Sequence, residues 1–206
     1  PKFSSLAWLG FVPLFLALRE KSGLRAFILS YLTGVIFWAL TIFWLVNVTL
    51  LGLILLVLYL ALYFGIFGLL SCRLINTKYF LITVPSLWVI LEYARSHLLT
   101  GFPWSLLGYS QYLNLYIIQM SDLTGVWGIS FLIVMINMAI YLVFISRPFV
   151  FKRTLRLFLF FLMLFFFMIA YGYYRINYSY HINPVKPVKA VRLAVIQPNI
   201  PQELKW

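Results

Sequence analysis

Charge is what this sequence has least of. Asp, Glu, Lys and Arg make up only 10% of its 206 residues, and only four of them are acidic, against roughly a quarter charged in an ordinary soluble domain. So few charges cannot clothe a water-exposed surface. Residues 26–72 contain none at all, and one membrane-spanning helix needs about 20 predominantly apolar residues. That stretch alone therefore predicts at least two helices in lipid.

Cysteine is nearly absent as well. Cys72 is the single one, which excludes an internal disulfide and leaves the redox compartment unread. It falls at a predicted helix end beside Arg73 with no base near it in sequence, so it reads as a small apolar filler and not as a nucleophile. Two scattered histidines, His97 and His181, and few carboxylates do not supply a metal site, and no cofactor is expected. The start has no initiator methionine, no basic n-region and no small-residue cleavage site. The expectation is an internal start at Pro1, which leaves open whether a helix precedes it. Also missing are a Ser-His-Asp order, a phosphate-binding glycine loop and paired carboxylates at a cleft. No complete active site is legible.

What is abundant is apolar: 64% of the chain is hydrophobic. The net charge of +12 raises nucleic-acid binding, but the basic residues do not form a stripe with interleaved exposed aromatics, and that class is set aside. They cluster instead at residues 19–25, 73–78 and 147–156, between apolar runs. The runs predict an all-α bundle of about six spans. These lie over residues 3–18 (short, and carrying Pro13), 26–46, 50–71, 79–93, 123–145 and 157–174. Gly65 and Gly68 flatten one face of the third span, a weak close-packing signal. Ser121 and Asp122 are placed to cap the fifth, and Gly125 and Gly128 add a close-packing face. Successive connections from Arg19 carry three, no, two, one and four Lys or Arg. By the positive-inside rule the first, third and fifth are cytoplasmic, and everything after the sixth span lies on the outer face. Residues 177–190 read as an extended linker with Pro184 and Pro187. Val191, Leu193 and Val195 then alternate with Arg192, Ala194 and Ile196, the pattern of a strand over 191–197. The expected division is a bundle over 1–176, the linker, and the start of a translocated domain over 191–206.

Few residues carry chemistry. Glu92 and Arg95 are three apart, on one helix face, where they can pair. Charges within a membrane are functional by default, and this pair reads either as structural or as holding a polar headgroup. His97 extends that cluster or faces the interface, and His181 lies in the linker. Gly101-Phe102-Pro103-Trp104 is a compact turn followed by an aromatic anchor, with Gly108-Tyr109-Ser110-Gln111 close behind. Phe102, Trp104 and Tyr109 either anchor the interface or line a lipid-access groove, with Glu92 and Arg95 supporting it.

The segment from Val195 to Trp206 contains Gln197-Pro198-Asn199-Ile200-Pro201-Gln202-Glu203-Leu204-Lys205-Trp206. It resembles the opening of the nitrilase-like domain of the apolipoprotein N-acyltransferase family, with its Gln-x-Asn-Ile-Pro-Gln-x-x-Lys-Trp stretch. Leu6-Ala7-Trp8, Val12-Pro13-Leu14, residues 88–95, the two glycine-led motifs above, and residues 119–131 resemble that family in the same order. The resemblance implies a bundle followed by the first β-strand of an α/β domain. It implies transfer of a fatty acyl chain from a phospholipid to the N-terminal diacylglyceryl-cysteine of a lipoprotein, through a thioester on a catalytic Cys, in the bacterial inner membrane with the C-terminal segment periplasmic. In the family a Glu serves as base and a Lys stabilises the oxyanion. All three lie downstream of the Lys-Trp stretch, so residues 1–206 are expected to hold no catalytic residue and to be inactive alone. Among the family's functional positions Trp206 matches, as an aromatic near the active site. The rivals are a transporter or channel subunit with Glu92 and Arg95 in a solute path, and a non-catalytic membrane anchor for an extracytoplasmic domain. The first predicts inverted repeats, and none is seen.

Overall fold

A computed structural model describes residues 4–99, 101–145, 151–179 and 193–197. Among these the regular structure is helical. The order is α1 (Val12–Leu18), α2 (Gly23–Thr41), α3 (Leu50–Leu74), α4 (Phe80–His97), α5 (Leu115–Ile118), α6 (Ser121–Ile145) and α7 (Phe151–Tyr174). Short 3-10 turns occupy Ser4–Trp8, Phe43–Asn47 and Leu107–Gln111, and a π-helical turn, Arg175–Ser179, extends α7. Four helical stretches are long and apolar enough to cross a membrane: Gly23–Thr41, Leu50–Leu74, Ser121–Ile145 and Phe158–Tyr178. The molecule is a helical membrane bundle.

The first and fourth expected spans take other forms. Instead of one span over 3–18, the chain makes a 3-10 turn, breaks at residues 9–11, and begins α1 with Pro13 in its first turn. Proline is tolerated there because the N–H it lacks would have had no helical partner. α4 is 18 residues long, about 27 Å at 1.5 Å per residue, and carries Glu92 and Arg95 in its last two turns. The expected strand at 191–197 is described only from residue 193 onward. Those five residues have no regular secondary structure, and Leu193, Val195 and Ile196 lie almost fully exposed. A strand exists through its ladder, and no neighbouring strand is present among the described residues. Trp206 and His181 lie outside them.

The tightest interface is α2 against α3, and small residues make it. Ala26, Ser30 and Gly34 recur every fourth residue on the buried side of α2. They meet Ala61 and Gly68 on α3, the small-residue crossing by which helices approach in lipid, while Gly65 takes the Phe27 ring. A Cβ built on Gly34 would stand 2.7 Å from Phe64 Cβ, and one on Gly68 would run into Ser30 and the carbonyl of Ala26. Because that carbonyl is backbone, it cannot turn aside. Gly68→Ala and Gly34→Leu are each expected to lower stability by about 1–3 kcal/mol, the range for overpacking a close-packed core. Lipid-facing Leu62→Ala should change it little. Thermal unfolding of the detergent-solubilised protein checks the order.

α6 is the central post, touched by α1, α4, α5 and α7. Its first turn is set off by a kink at Gly125, whose φ of 63° lies in the left-handed region that suits glycine. An aromatic cluster fills the bundle where α1, α3 and α4 meet: Trp88 takes Phe11, Phe64 and Phe67 edge-on, with ring centroids 4.6, 5.1 and 5.0 Å away. This T-shaped geometry places ring edges on ring faces.

The two ends of the bundle differ in chemistry. Gly23 faces Leu69 and Arg73, so the first and second basic clusters share one end. At the other end Trp44 stacks on Trp104 at 5.5 Å, joining the turn after α2 to the loop after α4. Over the first four connections the alternation of basic and aromatic composition along the sequence is thus an alternation of ends in space.

Candidate functional site

The site is assembled by the loop between α4 and α5, and two buried charges on α4 hold that loop. The i, i+3 spacing does put Glu92 and Arg95 on one helix face, both turned inward, at 4% and 3% exposure. They are not an ion pair: the only ion pairs within 4.0 Å among the described residues join Arg19 to Glu20 and Arg175 to Asp122. Each charge is spent on backbone instead. Arg95 Nη1 donates to the carbonyls of Phe102 at 2.7 Å and Trp104 at 2.9 Å, and its guanidinium lies 4.8 Å from the Trp38 ring centre. Glu92 Oε1 accepts the N–H of Leu107 at 2.7 Å.

The loop needs this bracing because its backbone is unusual. Leu99, Gly101 and Ser105 all have φ between 50° and 76°, a region costly for the two non-glycine residues. A side chain at Gly101 would collide with the carbonyl of Ser96. Further on, the N–H of Gly108 donates to Ser130 Oγ at 2.9 Å, and a Cβ there would stand 2.6 Å from the carbonyl of Val126. Gln111, fully buried, accepts from Trp8 Nε1 at 3.2 Å and donates to the carbonyl of Ser4 at 2.9 Å. The segments 6–8, 88–95, 101–111 and 121–131, far apart in sequence, therefore meet at one end of the bundle.

Under this loop lies a cavity of about 560 Å³, walled by α1, α2, α3 and α4. Glu92, Arg95 and Tyr109 line it. Phe102 and Trp104 do not: Phe102 packs edge-on against Trp38 at 5.8 Å, and Trp104, half exposed, stacks on Trp44. Their contribution here is the pair of carbonyls that Arg95 holds. The roles expected from sequence are thus partly exchanged, with the charges in the cavity wall and two of the three aromatics supporting them.

Other candidates fall elsewhere. His97 stacks on Tyr93 at 4.1 Å and bonds the Tyr93 carbonyl through Nδ1, so it faces the interface and does not extend the cluster. Cys72 Sγ bonds the Leu69 carbonyl one turn back, at 3.1 Å, away from the cavity. Asp122 does not cap α6; its carboxylate takes the Tyr171 hydroxyl at 2.9 Å and Arg175 at 2.8 Å, tying α6 to the end of α7. No group of three metal-ligating side chains occurs among the described residues. Sequence reasoning missed Tyr63, whose hydroxyl pairs with that of Tyr59 at 2.7 Å one turn away, and Trp38 and Trp88, all lining the cavity. An i, i+4 tyrosine pair in a helix with no charge before Arg73 in its last turn was the available signal.

Comparison with known proteins agrees with the order of these motifs. Residues 1–139 match the model of the apolipoprotein N-acyltransferase N-terminal domain. The apolipoprotein N-acyltransferase of Geobacter metallireducens is 39% identical over 225 aligned positions, which cover all of this chain and 41% of that protein. That of Shewanella oneidensis is 33% identical over 74% of this chain and 28% of its own length, and that of Rickettsia prowazekii 31% over 64% and 25%. The chain thus spans between a quarter and two-fifths of the length of these relatives. It is a multi-pass membrane protein that belongs to the apolipoprotein N-acyltransferase family and corresponds to its N-terminal, membrane-embedded part.

Proposed function

We propose that this chain is the membrane part of an enzyme that moves a fatty acyl chain from a phospholipid to the N-terminal diacylglyceryl-cysteine of lipoproteins. The observation that carries the reading is the whole-chain similarity to a relative named for N-acyl transfer. On this reading a thiolate attacks the acyl ester of the phospholipid, forming a thioester and releasing the lysophospholipid. The α-amine of the acceptor then attacks the thioester, forming the amide and freeing the thiol. The catalytic Cys, Glu and Lys are not among residues 1–206, and Trp206 stands beside the active site. The protein lies in the inner membrane of a bacterium with about six crossings over residues 1–176. The basic ends are cytoplasmic, and the braced loop and the linker 177–190 are periplasmic. Residues 191–206 open the nitrilase-like domain.

The bundle suits this work physically. Both substrates are lipids, so their chains must stay in hydrocarbon while the chemistry proceeds at headgroup level, which is where a lipid-facing loop rich in Trp and Tyr sits.

The test is expression of the full-length gene in a bacterium depleted of its own N-acyltransferase, with mass spectrometry of a reporter lipoprotein. An added amide-linked acyl chain is expected; a reporter that stays diacylated overturns the reading. Cys72→Ser should leave acylation unchanged, because a thiol bonded to its own helix in the bundle is not the nucleophile. A loss of acyl transfer on that substitution alone, with normal expression, would reverse this assignment.

A further inference from the structure

The whole chain has four acidic residues, and one of them is used where α7 ends. The Tyr171 hydroxyl lies 2.9 Å from both oxygens of the Asp122 carboxylate, and Arg175 Nη2 pairs with Oδ2 at 2.8 Å. Tyr171 and Arg175 are four apart, so they share one helix face and converge on a single carboxylate. Among the described residues this is the one ion pair that joins two helical elements, since Arg19 pairs with its own neighbour Glu20. Between Tyr171 and Arg175, Gly172 lies against α5, where a side chain would collide with the Tyr116 carbonyl.

Packing alone does not specify α7 so closely. Of the four spanning stretches Phe158–Tyr178 is the least buried, at 17%, and Leu159, Met163, Phe166 and Phe167 turn outward. Contacts between hydrocarbon side chains have little direction, and lipid is as apolar as the neighbouring helix. Adjacent rotations and heights of a Phe-rich helix therefore differ little in energy, and a polar group satisfied in only one register selects among them. The side chains of Asp122 and Arg175 are each at least a third exposed, so the pair adds little stability. Register is what it can set. Register matters here because α7 passes directly into the π-helical turn Arg175–Ser179, the last helical element before the linker.

We propose that Asp122 is a positioning residue. With Tyr171 and Arg175 it fixes the rotation and height of α7, and with them the point and direction of the chain's exit. That exit holds the part after residue 190 over the loop between α4 and α5. The inference rests on the reading above that residues 191–206 open the catalytic domain.

The experiment places the full-length protein in phospholipid nanodiscs, with spin labels carried by non-natural amino acids at Tyr112 and Lys205, so that no cysteine is touched. Double electron–electron resonance should give a narrow distance distribution in the parent and a wider, shifted one in Asp122→Asn. Tyr171→Phe, which removes the hydroxyl and keeps the ion pair, should widen it less. Exchanging the charges, Asp122→Arg with Arg175→Asp, should bring the narrow distribution back. In the same variants kcat for acylation of a reporter lipoprotein should fall about tenfold or more in Asp122→Asn, as misplacement of reacting groups requires, and recover in the exchange. KM for the phospholipid donor should hold, because none of the three residues lines the cavity, and the unfolding temperature should move little. The distances need no acyl transfer. A parent that leaves the reporter diacylated therefore sinks the reading above, while the labels still decide on Asp122. A parent distribution that is already broad, an Asp122→Asn distribution as narrow as the parent's, or a charge exchange that leaves the distances as wide as in Asp122→Asn overturns the proposal.

Discussion

Replacing Arg95 by Leu is expected to cost about 2–6 kcal/mol of stability, the scale for leaving two buried carbonyls without their donor at about 1–3 kcal/mol each. It should also free the loop between α4 and α5. The substitution takes the donor from two carbonyls at once, Phe102 and Trp104, and leaves the left-handed backbone at Leu99, Gly101 and Ser105 without the contact that offsets its cost. Arg95→Lys should fall between, because an ammonium lacks the flat fork that spans two acceptors and stacks on Trp38. Glu92 separates charge from hydrogen bonding. In Glu92→Gln an amide oxygen still accepts from Leu107, and the loss should stay under about 1 kcal/mol, whereas Glu92→Leu abandons that N–H and should cost about 1–3 kcal/mol. Thermal unfolding in detergent ranks the four variants, and limited proteolysis reads the loop: cleavage between residues 98 and 111 should appear in Arg95→Leu before global unfolding. An Arg95→Leu protein as stable and as protease-resistant as the parent would mean that the carbonyls do not depend on it.

How far the sequence carried depends on what kind of information each feature needs. α2, α3, α6 and α7 were legible because a run without charge has one stable state in lipid, with its backbone bonded within the helix. The placing of Glu92 and Arg95 on one face followed from helical spacing alone. What each one bonds did not. The expected partner of Arg95 was the nearest opposite charge in sequence, but the carbonyls at 102 and 104 lie where the loop's turn brings them, and no local pattern encodes that turn before it forms. The same holds for the small-residue crossing. Gly65 and Gly68 were visible, yet their significance lay in Ala26, Phe27, Ser30 and Gly34 on α2, read at first as ordinary members of an apolar run. Pro13 is visible in the short first span, but its place in the first turn of α1 is not, since a proline that starts a helix looks in sequence like one that kinks it.

Asn137 was missed altogether, and its replacement by Leu should be among the most damaging changes in the bundle. It is fully buried in α6, in a stretch that reads as plain hydrocarbon-facing helix. Its Oδ1 accepts the N–H of Phe11 at 2.9 Å, and Nδ2 donates to the carbonyls of Ala7 at 2.9 Å and Ile133 at 2.8 Å. Ala7 and Phe11 flank the break between the 3-10 turn and α1, where the backbone has no helical partner and, inside the bundle, no bulk water to replace one. One amide thus supplies both an acceptor and a donor to a gap in the backbone 126 to 130 residues away. Leu has a similar shape and neither group. Asn137→Leu should therefore strand two backbone groups at about 1–3 kcal/mol each, whereas Asn137→Asp would keep the acceptor for Phe11 but present a carboxyl to the Ala7 carbonyl. The expected result is a drop in unfolding temperature at least as large as for Gly68→Ala. It should be accompanied by faster amide hydrogen exchange at residues 7–12, with exchange in α2 and α3 unchanged. A uniform change in exchange across the bundle would instead mark Asn137 as a general packing residue and remove its assigned part in holding the N-terminal segment.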